Sequence, residues 1–202
     1  MSALPSFVFD YKKCISELDE YKTFLDSNEE LKEQTQILPF FKDHPQLSAF
    51  IASLFSDFIT FDGVKHEHTI YQNFICDLAV SDNIRQKYCF IEFEEAKKDS
   101  LFNSSSDWSS RLEHGYSQII DWFWRLDEMK STGDYFRNYG ASADYYGLLV
   151  IGRKKFLDDT NTVRLKWRAD HSVVDSKKIL ILTFDDLYEA LKDKLEPYRL
   201  LP

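Results

Sequence analysis

Residues 74–98 read FICDLAVSDNIRQKYCFIEFEEAKK, and the acidic residues set into this otherwise apolar run constrain the fold more than any other feature. Residues 74–80 alternate, with Phe74, Cys76, Leu78 and Val80 on one side and Ile75, Asp77 and Ala79 on the other, which is the period of a strand. Residues 88–94 alternate as well and set Tyr88, Phe90, Glu92 and Glu94 against Cys89, Ile91 and Phe93. The polar stretch 81–86, with its Asp82-Asn83 pair, predicts an antiparallel hairpin whose loop is longer than two residues. Such a hairpin brings Asp77 near Glu92. Carboxylates gathered on a buried strand repel one another and lose hydration, so something must compensate them. A hard divalent cation does so directly, since Mg²⁺ takes one or two carboxylates together with waters and phosphate oxygens. The plainer alternative is an amphipathic hairpin with Glu92 and Glu94 in water.

The rest of the chain reads as one α/β domain around that hairpin. Ile15, Leu18, Tyr21, Phe24 and Leu25 fall at helical spacing and predict a helix over 11–31, broken at Asp26-Ser27-Asn28. Further helices are predicted over 29–42 and, as a core helix, 46–58. Asp62-Gly63 marks a turn into a first strand over 65–71, where His66 and His68 read as strand-surface residues. After a Ser/Asn-rich loop, 107–129 is the longest helix candidate. Leu112, Tyr116, Ile119, Phe123 and Leu126 form its apolar face, and Arg111, His114, Gln118, Asp121 and Arg125 a polar stripe that is ordinarily a solvated face. Trp108, Trp122 and Trp124 read as core packing. Residues 133–142 read as a loop, 145–153 as a buried central strand, 156–161 as a loop or short helix, and 163–169 as a strand or the end of a helix. A loop over 170–177, a buried strand over 178–184 and a helix capped by Asp185 and Asp186 complete the order. Helices, three strands of hairpin, a helix, a strand, then a strand and a helix describe a mixed central sheet flanked by helices.

Charge and cysteine content narrow the function classes. The net charge of −9 argues against a general polyanion-binding surface while allowing a local basic cluster. Cys14, Cys76 and Cys89 show no metal-binding spacing and predict free thiols in a reducing compartment. No signal peptide and no membrane span are legible, so the expected location is cytoplasmic, without a membrane partner.

The runs FICDLAV, FIEFEEAKKDSLF, WSSRLEHGYSQIIDWFW, YYGLLVIGR and KILILTFDDL, in this order, resemble the Shedu nuclease domain, a branch of the PD-(D/E)XK phosphodiesterase superfamily known from bacterial anti-phage defence. The resemblance spans about residues 29–196. It implies a restriction-endonuclease-like fold over 29–202, preceded by a helical extension over 1–28, and a metal-dependent endonuclease acting on DNA with Mg²⁺ or Mn²⁺. It makes Asp77 the metal-binding acid of the second strand, Glu92 the acid of an E-x-K tripeptide on the third, and Gln118 the glutamine of the following helix. Glu94 stands where the superfamily has lysine, a residue that would hold the attacking water or the scissile phosphate. Either Lys97 or Lys98 supplies the cation instead, or Glu94 is itself a metal ligand. Catalytic candidates are therefore Asp77, Glu92, Glu94, Gln118 and Lys97, with the first three as metal ligands. Lys97, Lys98, Arg111, His114 and Arg125 are the candidates for contact with nucleic acid, and His114 is either a proton-transfer group or a capping partner of Glu113. The competing reading keeps the fold without the chemistry, as a silent module that binds nucleic-acid ends or a protein. Family members often carry a sensing region, and only about 28 residues precede this domain, so the expected trigger lies in those residues, in a partner or in self-assembly, the last as a homo-oligomer.

Overall fold

A computed structural model describes residues 4–72, 74–105, 107–171, 173–174 and 177–199. The helices are α1 (Tyr11–Ser27), α2 (Leu38–Asp43), α3 (Pro45–Phe50), α4 (Ser110–Met129), α5 (Gly133–Asn138), α6 (Asp159–His171) and α7 (Phe184–Arg199). The strands are β1 (Gly63–Tyr71), β2 (Phe74–Asp82), β3 (Lys87–Phe93), β4 (Asp144–Val150), β5 (Val173–Val174) and β6 (Lys177–Leu182), and they form one sheet in the order β1-β2-β3-β4-β6-β5. The β1-β2-β3 half is an antiparallel meander, whereas β3, β4 and β6 run parallel and β5 returns antiparallel to β6. Parallel neighbours need long crossovers, which α4 with α5 and then α6 supply.

Alternation along β3 divides the interior in two. Cys89, Ile91 and Phe93 enter a core shared with α1, α2, α3 and α7, while Tyr88 and Phe90 enter a second core beneath α4 and α5. Glu92 is in phase with Tyr88 and Phe90 and so emerges under α4.

The first helix is continuous with the first core. Cys14, Leu18, Tyr21 and Leu25 pack with Phe184, Leu187 and Leu191 of α7, and the Tyr21 hydroxyl donates to the Phe184 carbonyl at 3.0 Å.

Several local expectations are corrected. The hairpin loop is shorter than 81–86, because Ser81 and Asp82 still pair with Tyr88 and Lys87. Asp82 holds that end by accepting the backbone N–H groups of Ile59, Thr60 and Arg85. The helix expected over 29–42 divides into a π-helical turn, Glu33–Ile37, and α2, with Pro39, which has no N–H to donate, at the junction. Residues 46–58 end in a 3₁₀ turn, Ile51–Leu54. The 133–142 loop contains α5, nucleated by Thr132, whose Oγ1 accepts the N–H of Tyr135. Residues 163–169 lie within α6, and part of the 170–177 loop is β5. Thr183, not Asp185 or Asp186, caps α7 through the Asp186 N–H, since Asp185 is engaged by Arg153.

His68 is also not a surface residue. It is buried against Phe90, with Nε2 3.3 Å from the Tyr139 hydroxyl, because the end of α5 covers that stretch of β1. Desolvation lowers its pKa to about 4 and keeps it neutral. His66, half-buried, is lowered to about 4 by the same cause. Trp122 is buried as expected but Trp124 is 56 % exposed, since residues two apart on a helix point about 200° apart.

Candidate active site

The β2–β3 ladder runs from the Asp82–Lys87 pair to the Leu78–Ile91 pair, and beyond it the strands are held by a side chain. The Asp77 carboxylate accepts the Phe93 N–H at 2.8 Å. The end of β3 meanwhile follows β4, with the Glu94 N–H donating to the Val150 carbonyl at 2.9 Å. Asp77, Glu92 and Glu94 therefore collect where the antiparallel half of the sheet parts from the parallel half. Glu92 and Glu94 are both buried.

A fourth carboxylate, Glu33, joins them from the N-terminal segment. Leu31 and Ala96 exchange backbone hydrogen bonds at 3.1 and 2.9 Å, which fixes the start of the π-helical turn beside the end of β3. Phe41 stacks on Phe93 at 4.3 Å and holds α2 against the same strand. Sequence reasoning missed Glu33. The one local signal is Leu31, an isolated apolar residue in a charged run, which marks an attachment point.

Helix α4 closes the other side. Its N-terminus is capped by Ser109, whose Oγ accepts the Leu112 N–H at 3.0 Å. Gly115 lets the helix approach closely: a Cβ there would lie 2.7 Å from Leu149 Cδ1 and 3.2 Å from Glu94 Cγ. On this face Arg111 Nη1 donates to Glu94 Oε2 at 3.0 Å and lies 3.9 Å from Glu33 Oε2, while its Nε is 2.9 Å from Glu95 Oε1. Gln118 stands close enough to Glu92 for its amide to favour the carboxylate. Among the described residues the buried Glu92 Oε2 and Gln118 Oε1 find no hydrogen-bond partner.

The electrostatics follow from this crowding. Desolvation is the largest cause raising the pKa of Asp77, offset in part by the Phe93 N–H and reinforced by Glu33 and Glu94. Glu92 is raised further, by desolvation and then by Asp77, Glu94 and Glu33. Glu94 is raised by desolvation although Arg111 pulls it down.

The other sequence candidates are only partly gathered here. His114 is near enough to Glu94 to influence its charge and is exposed. Lys97 turns to Glu95 at 2.8 Å, and Lys98 lines a separate groove with Asp99 and Phe102. Arg125 lies two to three turns further along α4, paired with Glu128 and 6.0 Å from the Tyr71 ring. No continuous cationic track forms from these residues. A groove of about 450 Å³, lined by Ser100, Asn103, Ser104 and Ser110 among others, opens onto Glu95 and Arg111. It shares Asn103 and Ser110 with a wider groove beside Trp108 and Trp167, in which Asp107 and Glu113 outnumber Arg168.

Among the described residues no three His, Cys, Asp or Glu side chains stand as a ready-made ligand cage. The donor set nevertheless fits a hard cation. With Glu92 ionised, its Oε2 and Gln118 Oε1 are both acceptors, so neither can satisfy the other, and a bound cation, which favours the ionised form, takes both.

These shifts predict the pH response of the metal-free protein. A carboxyl whose pKa is higher folded than unfolded retains its proton only in the folded chain, so stability falls as pH rises from the unfolded pKa through the folded one. Asp77 is pushed up to about 7 and Glu92 higher still. His66 and His68, lowered to about 4, act oppositely, but their contribution is complete by about pH 7. In EDTA, urea denaturation is expected to show a loss of about 1–2 kcal/mol between pH 7 and 8.5, near the limit of about 1.4 kcal/mol per proton per pH unit. A flat or rising profile in that window would contradict the buried, protonated Glu92.

Among the described residues no helix is long and apolar enough to cross a membrane. No curated protein matches the chain. Residues 30–188, which contain Glu33, the whole sheet and α4, match the family described as Shedu protein SduA, C-terminal. The chain belongs to that Shedu family.

Proposed function

We propose that the chain is a metal-dependent endonuclease of PD-(D/E)XK type that hydrolyses phosphodiester bonds in DNA. Family membership implies a part in anti-phage defence. The observation that carries the nuclease reading is the pair of buried acceptors without donors, Glu92 Oε2 and Gln118 Oε1, set beside Asp77 in a site where burial and mutual repulsion disfavour every negative charge. Asp77, Glu92 and Glu94 would hold Mg²⁺ or Mn²⁺, with Glu33 in reach of the same region. When bound, the ion polarises the phosphodiester and lowers the pKa of a coordinated water. The chain's own groups have separate tasks. Asp77 is oriented by the Phe93 N–H, Gln118 fixes the rotamer of Glu92, and α4, drawn close at Gly115, keeps bulk water from the inner carboxylates. The groove over Ser104 and Ser110 gives a phosphodiester strand access from the Arg111 side.

A second reading, a catalytically silent module, is favoured by one observation: Glu94, an acid in the position of the motif lysine, is paired with Arg111. Titration of EDTA-treated protein with Mg²⁺ and Mn²⁺, together with incubation on linear and circular DNA in Mg²⁺, Mn²⁺ or EDTA, separates the two. The nuclease is expected to bind the ion in the micromolar to low-millimolar range, of order 10⁻⁵–10⁻³ M, and to cut only in its presence. Absence of both binding and cutting would leave the silent module.

A further inference from the structure

We infer that Arg111 is the catalytic cation of this site and contacts the scissile phosphate directly. The inference rests on the nuclease reading above and concerns the group that opposes the charge of the phosphate.

Hydrolysis of a phosphodiester concentrates negative charge on the non-bridging oxygens in the transition state, and a site rich in carboxylates repels that charge unless a cation beyond the metal faces it. Here Asp77, Glu92, Glu94, Glu95 and Glu33 surround the place where the phosphate must sit. Among the described residues Arg111 alone forms an ion pair with Glu94, at 3.0 Å, and it reaches Glu95 at 2.9 Å and Glu33 at 3.9 Å as well. Lys97 is turned away toward the far oxygen of Glu95.

The guanidinium is suited to this role by what it leaves unused. Nε and Nη1 face the carboxylates, while Nη2 donates to none of the described residues. The side chain is 40 % exposed, toward the groove lined by Ser104 and Ser110. The acids thus engage one donor on each bidentate edge, and Nη2, common to both edges, is left for an incoming phosphate oxygen, a division that the rigid planar fork fixes more firmly than a rotating ammonium does. Arg111 also lies in the first turn of α4, a helix of 20 residues, where the backbone dipole adds positive potential.

The test uses the full chain with two variants, Arg111→Ala and Arg111→Lys, and three readouts: Mn²⁺ affinity, melting temperature and cleavage of linear DNA. With Arg111 as catalytic cation, Arg111→Ala is expected to keep Mn²⁺ affinity within about threefold and lose cleavage by on the order of 10²- to 10³-fold. Arg111→Lys should retain an intermediate rate. Cleavage by Arg111→Ala within about threefold of wild type overturns the inference and leaves the nuclease reading intact. Loss of Mn²⁺ affinity together with cleavage also overturns it, because Arg111 then serves only to hold the carboxylates. A fall in melting temperature that Arg111→Lys repairs without repairing cleavage does the same. A wild-type protein that neither binds Mn²⁺ nor cuts overturns both readings, and the Mn²⁺ titration of wild type identifies that case.

Discussion

Glu92→Gln is expected to stabilise the metal-free protein at pH 8 while abolishing its response to divalent ions. Glu92 is 7 % exposed, faces Asp77 and Glu94, and has one oxygen without any partner. Glutamine keeps the volume but removes a carboxyl that, at pH 8, must take up a proton on folding because burial disfavours its charge. Replacing poorly compensated buried charge by neutral groups of similar size stabilises proteins by roughly 1–4 kcal/mol, which for a chain of this length raises the melting temperature by roughly 3–12 °C. The same change should cost cleavage on the order of 10²- to 10³-fold, since a neutral amide is a poorer hard-cation ligand than a carboxylate. It should also flatten the fall in stability between pH 7 and 8.5, because across that window Glu92 keeps its proton in the folded chain and has lost it in the unfolded one. Calorimetry in EDTA and in Mn²⁺ across pH 7–8.5 checks the stability and the ion response, and cleavage of linear DNA checks the activity. A variant less stable than wild type in EDTA would mean that Glu92 is a satisfied structural residue, and the strained-site account would fail. Stability gained at the expense of activity is the signature of a site built for a ligand rather than for the fold.

The acidic site was largely legible because a period of two has one solution when one face is apolar. With Tyr88 and Phe90 committed to a core, Glu92 had to point under α4, and the antiparallel hairpin placed Asp77 beside it. Glu33 was not legible. It lies among Glu29, Glu30 and Lys32, and only the Leu31–Ala96 pairing, between segments far apart in the chain, sets it apart from those neighbours. The polar stripe on α4 was real but does not act as one unit. Arg111, His114 and Gln118 lie over the diverging strand ends, whereas Asp121 is exposed and Arg125 pairs locally with Glu128. No periodicity reveals where along a helix the strands beneath it stop. Helix α6 is not legible as one element, since 156–161 reads as a loop or short helix and 163–169 as a strand or the end of a helix, because its apolar content is low, with only Leu165 buried. The crossover from β4 to β6 demanded a connection of that length, and topology rather than local pattern supplied the helix.

The largest loss of stability is expected from Arg153→Met, at the opposite end of β4 from Lys87. Arg153 is 4 % exposed. Its Nε and Nη2 donate to Asp185 at 3.0–3.1 Å, Nη1 to the Asn28 carbonyl at 2.6 Å, and Nη2 to the Leu25 carbonyl at 3.0 Å. One guanidinium thus terminates α1, whose last carbonyls have no partner within the helix, and neutralises the acid in the first turn of α7. Methionine fills much of the same space but leaves the Leu25 and Asn28 carbonyls without the guanidinium and the half-buried Asp185 carboxylate with the Lys154 N–H in place of a charged partner. Truncating one partner of a buried ion pair costs roughly 3–5 kcal/mol, a large part of the stability of an ordinary domain. Urea denaturation should show that loss, and a change below about 1 kcal/mol would show that water replaces the guanidinium freely. The same bonds bear on residues 1–28, which precede the segment matched by the family. If α1 is held as firmly as the Tyr21–Phe184 and Arg153 contacts require, deletion of 1–28 should expose Phe184, Leu187 and Leu191 and abolish cooperative unfolding of the remainder. A truncated chain that unfolds cooperatively near the wild-type midpoint would instead make α1 a dispensable extension, and the loss in Arg153→Met would then have to come from Asp185 alone.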